Sequence, residues 1–252
     1  MLWVPFLLVT WAAAAVSCAR LCRAAVEAAR PVPLSRAVRD RELTLYEAAF
    51  LAGGPLRVAD LTLVSMHRRG RLLLAHTGWA TVVDPEGGDE LERSVIGAIG
   101  PGGQSRIAAV RATASAAHAV RALADRLVGA GLAVPDAVRS GLVAALRAVR
   151  RSALLTVALA AVTVLLLPAE HTPGAHGMAW FALPLVLTVG CLVIARVEVH
   201  PYTRWASPAG QSLLRRVRPC DPLAAVAIGG VHALDDPALR AALTNRLAKE
   251  GH

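Results

Sequence analysis

The chain has 252 residues, 55% of them hydrophobic and 18% charged, with a formal net charge of +9. Its mean hydropathy of +0.50 exceeds that of soluble domains, in which roughly 45–50% apolar residues are usual, so a wholly soluble fold is a poor fit. The charge asks for an anionic partner, nucleic acid or lipid, and four cysteines without a C-x-x-C pair argue against a disulfide framework or a zinc site.

Residues 2–19, LWVPFLLVTWAAAAVSCA, are uncharged and approach the ~20 residues that cross a bilayer as a helix. No basic residue precedes them, which argues against a cleaved signal peptide, although AVSCA imitates a cleavage site. Arg20, Arg23, Arg30, Arg36, Arg39 and Arg41 follow and by the positive-inside rule stay in the cytoplasm. The expectation is an uncleaved transmembrane helix with its N-terminus outside, then a basic juxtamembrane linker, 20–41; a cleaved signal is the alternative. Cys18 and Cys22 share a helix face and read as packing residues in preference to a redox or metal pair.

Residues 42–140 read as a globular domain. TLYEAAFLAGG (44–54) opens with Thr44 and Glu47 spaced as a capping box and closes on glycines. PLRVADLTLVSMHRRG (55–70) carries apolar Val58, Leu61, Leu63, Val64 and Met66 at helical spacing. RLLLA and WATVV flank HTG, a hairpin connection. DELERSVIGAIG (89–100) has acids in its first turn, where they favour the helix dipole, and PGGQS is a turn. RIAAVRATASAAHAVRALADRLVGAG (106–131) is a long helix expected to break near 114–118. VSMHRRGRLLLA and ADRLVGAGLAVP end alike, so the domain reads as two weakly repeated helix-helix-strand units. The helix and hairpin together are winged-helix-like.

Two further uncharged runs follow, SALLTVALAAVTVLLLP (152–168) and MAWFALPLVLTVGCLVIA (178–195), expected as the second and third transmembrane helices. Arg147, Arg150 and Arg151 precede the second, Arg196 follows the third, and the outer loop 169–177 has no Arg or Lys. Residues 196–252 form a cytoplasmic tail with short helices, one capped by Ser207 with Pro208 at its first position, the last capped by Asp236 with Pro237.

No catalytic constellation is present. The glycine-rich GPGGQS lacks the lysine of a phosphate loop, there is no H-E-x-x-H or G-x-S-x-G, and the histidines are scattered. His171 and His176 on the outer loop lack further metal ligands. Asp84, Glu86, Asp89, Glu90 and Glu92 cluster, but helix-start acids explain most of the group. No catalytic residue, metal ligand or cofactor is expected.

Charge counting tests the nucleic-acid reading. Residues 42–140 hold ten arginines and ten acids, so this domain is neutral. The excess lies beside the apolar runs: six arginines against two acids in 20–41, three against none in 142–151, five against one in 196–218. Orientation and anionic headgroups account for it, with Arg20, Arg23, Arg147, Arg150, Arg151 and Arg196 as the expected headgroup contacts. Arg68, Arg69 and Arg71 remain as a local cluster for nucleic acid or a protein partner; stabilisation of a helix C-terminus is the simpler explanation, and neutrality disfavours DNA.

Three blocks, ELTLYEAAFLAGGPLRVADLTLVSMHRRGRLL, HTGWATVVDP and HPYTRWASPAGQSLL, resemble a family of uncharacterised actinobacterial membrane proteins. The resemblance covers most of residues 40–240. Its members often continue into a glycine- and cysteine-rich low-complexity tail, whereas this sequence ends at LAKEGH. The resemblance implies a membrane location and brings no activity.

The sequence reading is a mainly α membrane protein: three transmembrane helices plus a small α+β winged-helix-like cytoplasmic domain, in a bacterial cell membrane with the N-terminus outside and the C-terminus inside. The function expected is a non-enzymatic interaction or scaffold protein whose partners are the bilayer and unidentified proteins. A membrane-tethered nucleic-acid-binding regulator is the alternative, and an enzyme with an unrecognised site comes third.

Overall fold

The structure, a computed structural model, describes residues 4–29, 41–166, 175–198 and 205–244. Among these residues it is mainly helical, with one small antiparallel sheet, and it divides into two compact units.

The first unit holds α1 (Val4–Ala29), α7 (Asp136–Leu166) and α8 (Ala175–Glu198), each packed against the other two. At 1.5 Å rise per residue their 26, 31 and 24 residues give lengths of about 39, 46 and 36 Å. Among the described residues one helix, Val4–Glu27, is long and apolar enough to cross a bilayer. The start of α7 carries Arg139, Arg147, Arg150 and Arg151, and the expected second run extends past Leu166, outside the described residues. In α8 the described apolar stretch is Ala182–Ile194. The expected outer loop also lies largely outside the described residues.

The interior of this unit changes along its length. Leu21, Leu142, Ala145 and Val149 form an ordinary apolar core. Elsewhere the buried positions among the described residues are Thr10, Ala14, Ser17, Cys18, Ser152, Thr156, Thr163, Pro184 and Thr188. The large apolar side chains there face outward: Leu8 is 64% exposed, Leu154 70%, Leu165 79% and Val186 69%. Each buried hydroxyl donates to a carbonyl of its own helix, as Thr156 does to Ser152 at 2.9 Å and Thr188 to Pro184 at 2.9 Å. Ser17 and Ser152 also join α1 to α7, oxygen to oxygen, at 2.9 Å. Cys18 on α1 and Cys191 on α8 are neighbours where these two helices pack.

The second unit is built around a helix pair. α2 (Leu45–Gly53) has the expected capping box, in which Thr44 accepts from the Glu47 amide and Glu47 accepts from that of Thr44. α3 (Pro55–Arg68) is buried at every residue from Val58 to Met66. The spacing marks one apolar face; the helix is buried all round over these residues because α2 and the helices Glu90–Ile99, Ile107–Ser115, His118–Gly129 and Pro222–Gly229 pack around it. Its polar residues satisfy themselves, Thr62 by donating to the Val58 carbonyl at 2.9 Å and Asp60 as described below.

Chain direction then reverses through β1 (Leu72–Leu74) and β2 (Trp79–Val82). Their register puts Leu73 opposite Thr81, and Ala75 donates to the Trp79 carbonyl across the His-Thr-Gly turn. α4 (Glu90–Ile99) follows, capped by Asp89, and β3 (Gln104–Arg106) closes the sheet beside β2. The sequence reading makes PGGQS a turn and residue 106 the start of a helix. A polar three-residue strand leaves no periodicity to detect, and only pairing with β2 creates it. The expected long helix is broken as anticipated, into α5 (Ile107–Ser115) and α6 (His118–Gly129).

The two stretches expected to repeat end their helices alike, but only one of them continues into a strand. After α3, Arg71 donates to Met66 and Gly70 to His67; after α6, Leu132 donates to Leu127 and Gly131 to Val128. Both are Schellman closures, with Gly70 at φ 74° and Gly131 at φ 72°, conformations that favour glycine. Only the first leads into a strand. The second leads to a single bridge, Ala133 to Ala206.

Segment boundaries differ from the sequence reading in three places. Residues 20–29 continue α1 and are not linker, the expected domain 42–140 gives way at Asp136 to α7, and the expected tail 196–252 is not separate. α9 (Pro208–Leu214), α10 (Pro222–Gly229), a 3-10 turn (Gly230–Ala233) and α11 (Pro237–Thr244) belong to the second unit. They bury Leu213, Val226, Ala227, Leu239 and Leu243 in its core. Pairing of α10 with α2 supplies the apolar surface that neither helix could bury alone.

Candidate functional site

The arginine cluster that follows α3 meets the acidic cluster that opens α4. Glu92 stands on the same face of α4 as Val95 and Ile99, and all three are buried. Its carboxylate accepts from Arg69 Nη1 at 2.7 Å, from Arg71 Nη1 at 2.6 Å and from the Gly88 amide at 2.8 Å. Arg71 also donates to the Glu86 carbonyl at 3.0 Å and lies 3.7 Å from Asp84. Glu92 is thus a buried anion with three donors, the condition under which a charge tolerates removal from water. Its backbone amide is held by Asp89 at 2.7 Å.

Two of the three arginines singled out from sequence are therefore brought together by an internal carboxylate. Arg68 is not part of this arrangement; it is exposed at the end of α3. The sequence reading assigns the acids to the helix dipole, which fits Asp89 and Glu90. It misses Glu92, although the spacing of Glu92, Val95, Ile96 and Ile99 marks an acid on an apolar face.

Tyr46 adjoins the cluster. Burial raises its hydroxyl to about 12, with Asp89 and Glu92 adding to the shift and Arg69 and a hydrogen bond with Thr62 opposing it.

A second buried ion group ties the C-terminal helices to α3. Asp60 receives Arg111 Nη2 at 2.8 Å and is paired with Arg111 Nε. Arg111 Nη1 continues to the Leu243 carbonyl at 2.9 Å, and Arg57 Nη1 reaches the Ile228 carbonyl at 2.8 Å. Burial pushes the Asp60 carboxyl up, against the pull of Arg111 and Arg57. Burial likewise lowers Arg57, against Asp60. Both arginines cross-link backbone carbonyls, a positioning role.

Among the expected headgroup contacts, Arg20 and Arg23 line a groove of about 380 Å³ between α1 and α7, with Glu27, Gly141, Ala144 and Ala148. Arg147, Arg150 and Arg151 belong to α7, and Arg196 belongs to α8. In the second unit a different groove, about 410 Å³, is lined by Arg41, Glu42, Leu43, Leu213, Arg216, Val217 and Arg218. The outer face of the sheet exposes Leu73 (58%) and Trp79 (43%), with the Arg106 guanidinium 5.8 Å from the Trp79 ring centre.

Among the described residues no group of three His, Cys, Asp or Glu side chains is placed to hold a metal ion. Comparison with protein-family models, with curated proteins and with solved structures gave no match.

Proposed function

We propose that the chain is a non-enzymatic membrane protein with three transmembrane helices, N-terminus outside and C-terminus inside, that presents its second unit to the cytoplasm as an interaction module. The observation that carries this is the inverted polarity of the first unit. In water a bundle turns large apolar side chains inward. Here Thr10, Ser17, Ser152, Thr156 and Thr188 are inside while Leu8, Leu154, Leu165 and Val186 are outside. Small and hydroxyl residues between helices, satisfied within each helix, suit a bundle solvated by lipid. The change to an ordinary core at Leu21, Leu142 and Val149 coincides with Arg20, Arg23, Arg147, Arg150 and Arg151, where a headgroup layer belongs. The resemblance to actinobacterial membrane proteins agrees with a bacterial cell membrane.

The interaction reading draws on the second unit. Its neutral charge over 42–140 and the commitment of Arg69 and Arg71 to Glu92 disfavour phosphate backbones as the partner. The winged-helix-like helix and hairpin instead offer Leu73 and Trp79 to a protein. Photo-crosslinking residues placed at Leu73 or Trp79 in the full chain, in its membrane, should trap discrete protein partners. Absence of any adduct from both positions would count against the reading. Arg68 favours the alternative of nucleic-acid binding, since it is exposed beyond the Glu92 cluster. Mobility shifts of the detergent-solubilised chain at low salt that vanish with Arg68→Ala would establish that alternative.

A further inference from the structure

The groove between α1 and α7 carries a pattern of charge that general headgroup contact does not explain. It has a volume of about 380 Å³ and lies wholly within the first unit. That volume falls in the range of roughly 300–1,000 Å³ in which small-molecule sites are found. Gly141, Ala144, Ala145 and Ala148 form the α7 side, and a Cβ added at Gly141 would meet nothing within 4 Å. These small side chains leave space between the two helices. The α1 side is charged, with Arg20, Arg23 and Glu27. All three are exposed, and among the described residues none of them enters an ion pair. Arg23 and Glu27 stand four apart, the spacing at which a helix joins opposite charges, yet they do not pair.

The groups come in a definite order along α1. Val9, Ala12, Val16, Arg20, Arg23 and Glu27 follow one another at steps of three and four residues, which places them on one face. Val9 is 51% exposed and Val16 57%. From its apolar end this face offers exposed valines, then two guanidinium groups, then a carboxylate about 6 Å beyond Arg23 at 1.5 Å per residue. A phospholipid presents its own groups in the same order: acyl chain, phosphate and, outermost in an aminophospholipid, a primary ammonium. Guanidinium groups bind phosphate oxygens through paired donors. A carboxylate repels a purely anionic headgroup and accepts the N–H groups of an ammonium.

We propose that this groove binds an aminophospholipid, with its phosphate on Arg20 and Arg23 and its ammonium on Glu27. The proposal rests on the membrane reading above and deepens it, because these arginines then select one headgroup chemistry in addition to answering the charge of a leaflet. Ala145 belongs both to the groove and to the apolar core of Leu21, Leu142 and Val149, so a lipid seated there would brace α1 against α7.

The test uses the full chain in nanodiscs of phosphatidylethanolamine, phosphatidylglycerol and phosphatidylcholine in equal amounts and of distinct masses. Native mass spectrometry counts the lipid that stays bound. Wild type is expected to retain one phosphatidylethanolamine in preference to the other two, since a glycerol headgroup has no cation for Glu27 and a trimethylated ammonium has no N–H to donate. In Glu27→Gln the ratio of retained phosphatidylethanolamine to phosphatidylglycerol should fall about tenfold or more, as for loss of one charge-assisted contact. In an Arg20→Ala, Arg23→Ala variant retention of all three lipids should fall. Preference of the wild type for phosphatidylglycerol, or an unchanged ratio in Glu27→Gln, would overturn the proposal. Thermal stabilisation by soluble phosphoethanolamine in pure phosphatidylcholine discs, with no phosphatidylethanolamine retained from the mixed discs, would assign the groove to a soluble phosphate ester and overturn the lipid source. Failure of the membrane reading would appear separately, as extraction of the wild-type chain by alkaline carbonate.

Discussion

Replacing Glu92 by Gln removes one negative charge while preserving shape. In the native arrangement a carboxylate that is 0% exposed neutralises Arg69 at 2.7 Å and Arg71 at 2.6 Å, with the Gly88 amide as third donor. A glutamine amide at this position has one acceptor oxygen for three donors and brings its own N–H groups toward two cations. Breaking a buried ion pair by removing one partner typically costs about 3–5 kcal/mol. The two arginines are 54% and 28% exposed, so water recovers part of their solvation. We therefore expect about 2–3 kcal/mol, at or below the lower end of that range. At roughly 2–4 °C per kcal/mol for a chain of this size, the melting temperature falls by about 4–12 °C. The assay is thermal unfolding of the detergent-solubilised full chain followed by circular dichroism, with hydrogen exchange reporting loss of protection at Gly88 and along 90–99. Replacing Glu92, Arg69 and Arg71 together by Met should recover much of the loss, because no uncompensated charge remains. A Glu92→Gln melting temperature within about 1 °C of wild type would refute the argument that this buried carboxylate organises the hairpin and α4.

Other expectations follow from the same geometry. A Cβ at Gly210 would lie 2.1 Å from the Leu132 carbonyl oxygen, a backbone atom, so Gly210→Ala should prevent α9 from docking and lower stability by several kcal/mol. By contrast a Cβ added at Gly97 on α4 would meet nothing within 4 Å, so Gly97→Ala should raise stability by about 0.5–1 kcal/mol in the same melt. Tyr46 ionises at about 12 in the fold against 10.0 otherwise. Its contribution is complete below pH 10 and is lost as pH rises through 12, so Tyr46→Phe should flatten the fall in stability between those values, read by denaturant titration. In a Cys22→Ala, Cys220→Ala background, a mild oxidant should join Cys18 to Cys191 within one chain, identified as a linked peptide by mass spectrometry. Recovery of two separately alkylated peptides would contradict the packing of α1 on α8.

What the sequence makes legible is local. Thr44 with Glu47, Asp89, Ser207 with Pro208 and Asp236 all mark helix starts that the structure contains, because a cap is a bond between neighbours. The break before His118 and the His-Thr-Gly hairpin are equally readable. The missing features depend on distant residues. β3 exists only through Trp79, Ala80 and Thr81 of β2, and the C-terminal helices join the core only because α10 meets α2. Arg69 and Arg71 look like free cations in the sequence because Glu92, more than twenty positions on, counts there toward the dipole of its own helix. Of the candidate groove, Arg20 and Arg23 read as headgroup contacts, but nothing in the sequence places Gly141, Ala144 and Ala148 beside them.

The central claim is that the first unit crosses the membrane three times with the second unit inside. The direct measurement is labelling of single cysteines in intact cells by a membrane-impermeant maleimide. One variant keeps only Cys220, exposed in the second unit; another, without native cysteines, carries Thr172→Cys between the second and third apolar runs of the sequence. The account predicts that Thr172→Cys labels in intact cells and that Cys220 labels only after the membrane is opened. Labelling of Cys220 in intact cells with protection at position 172 would contradict it.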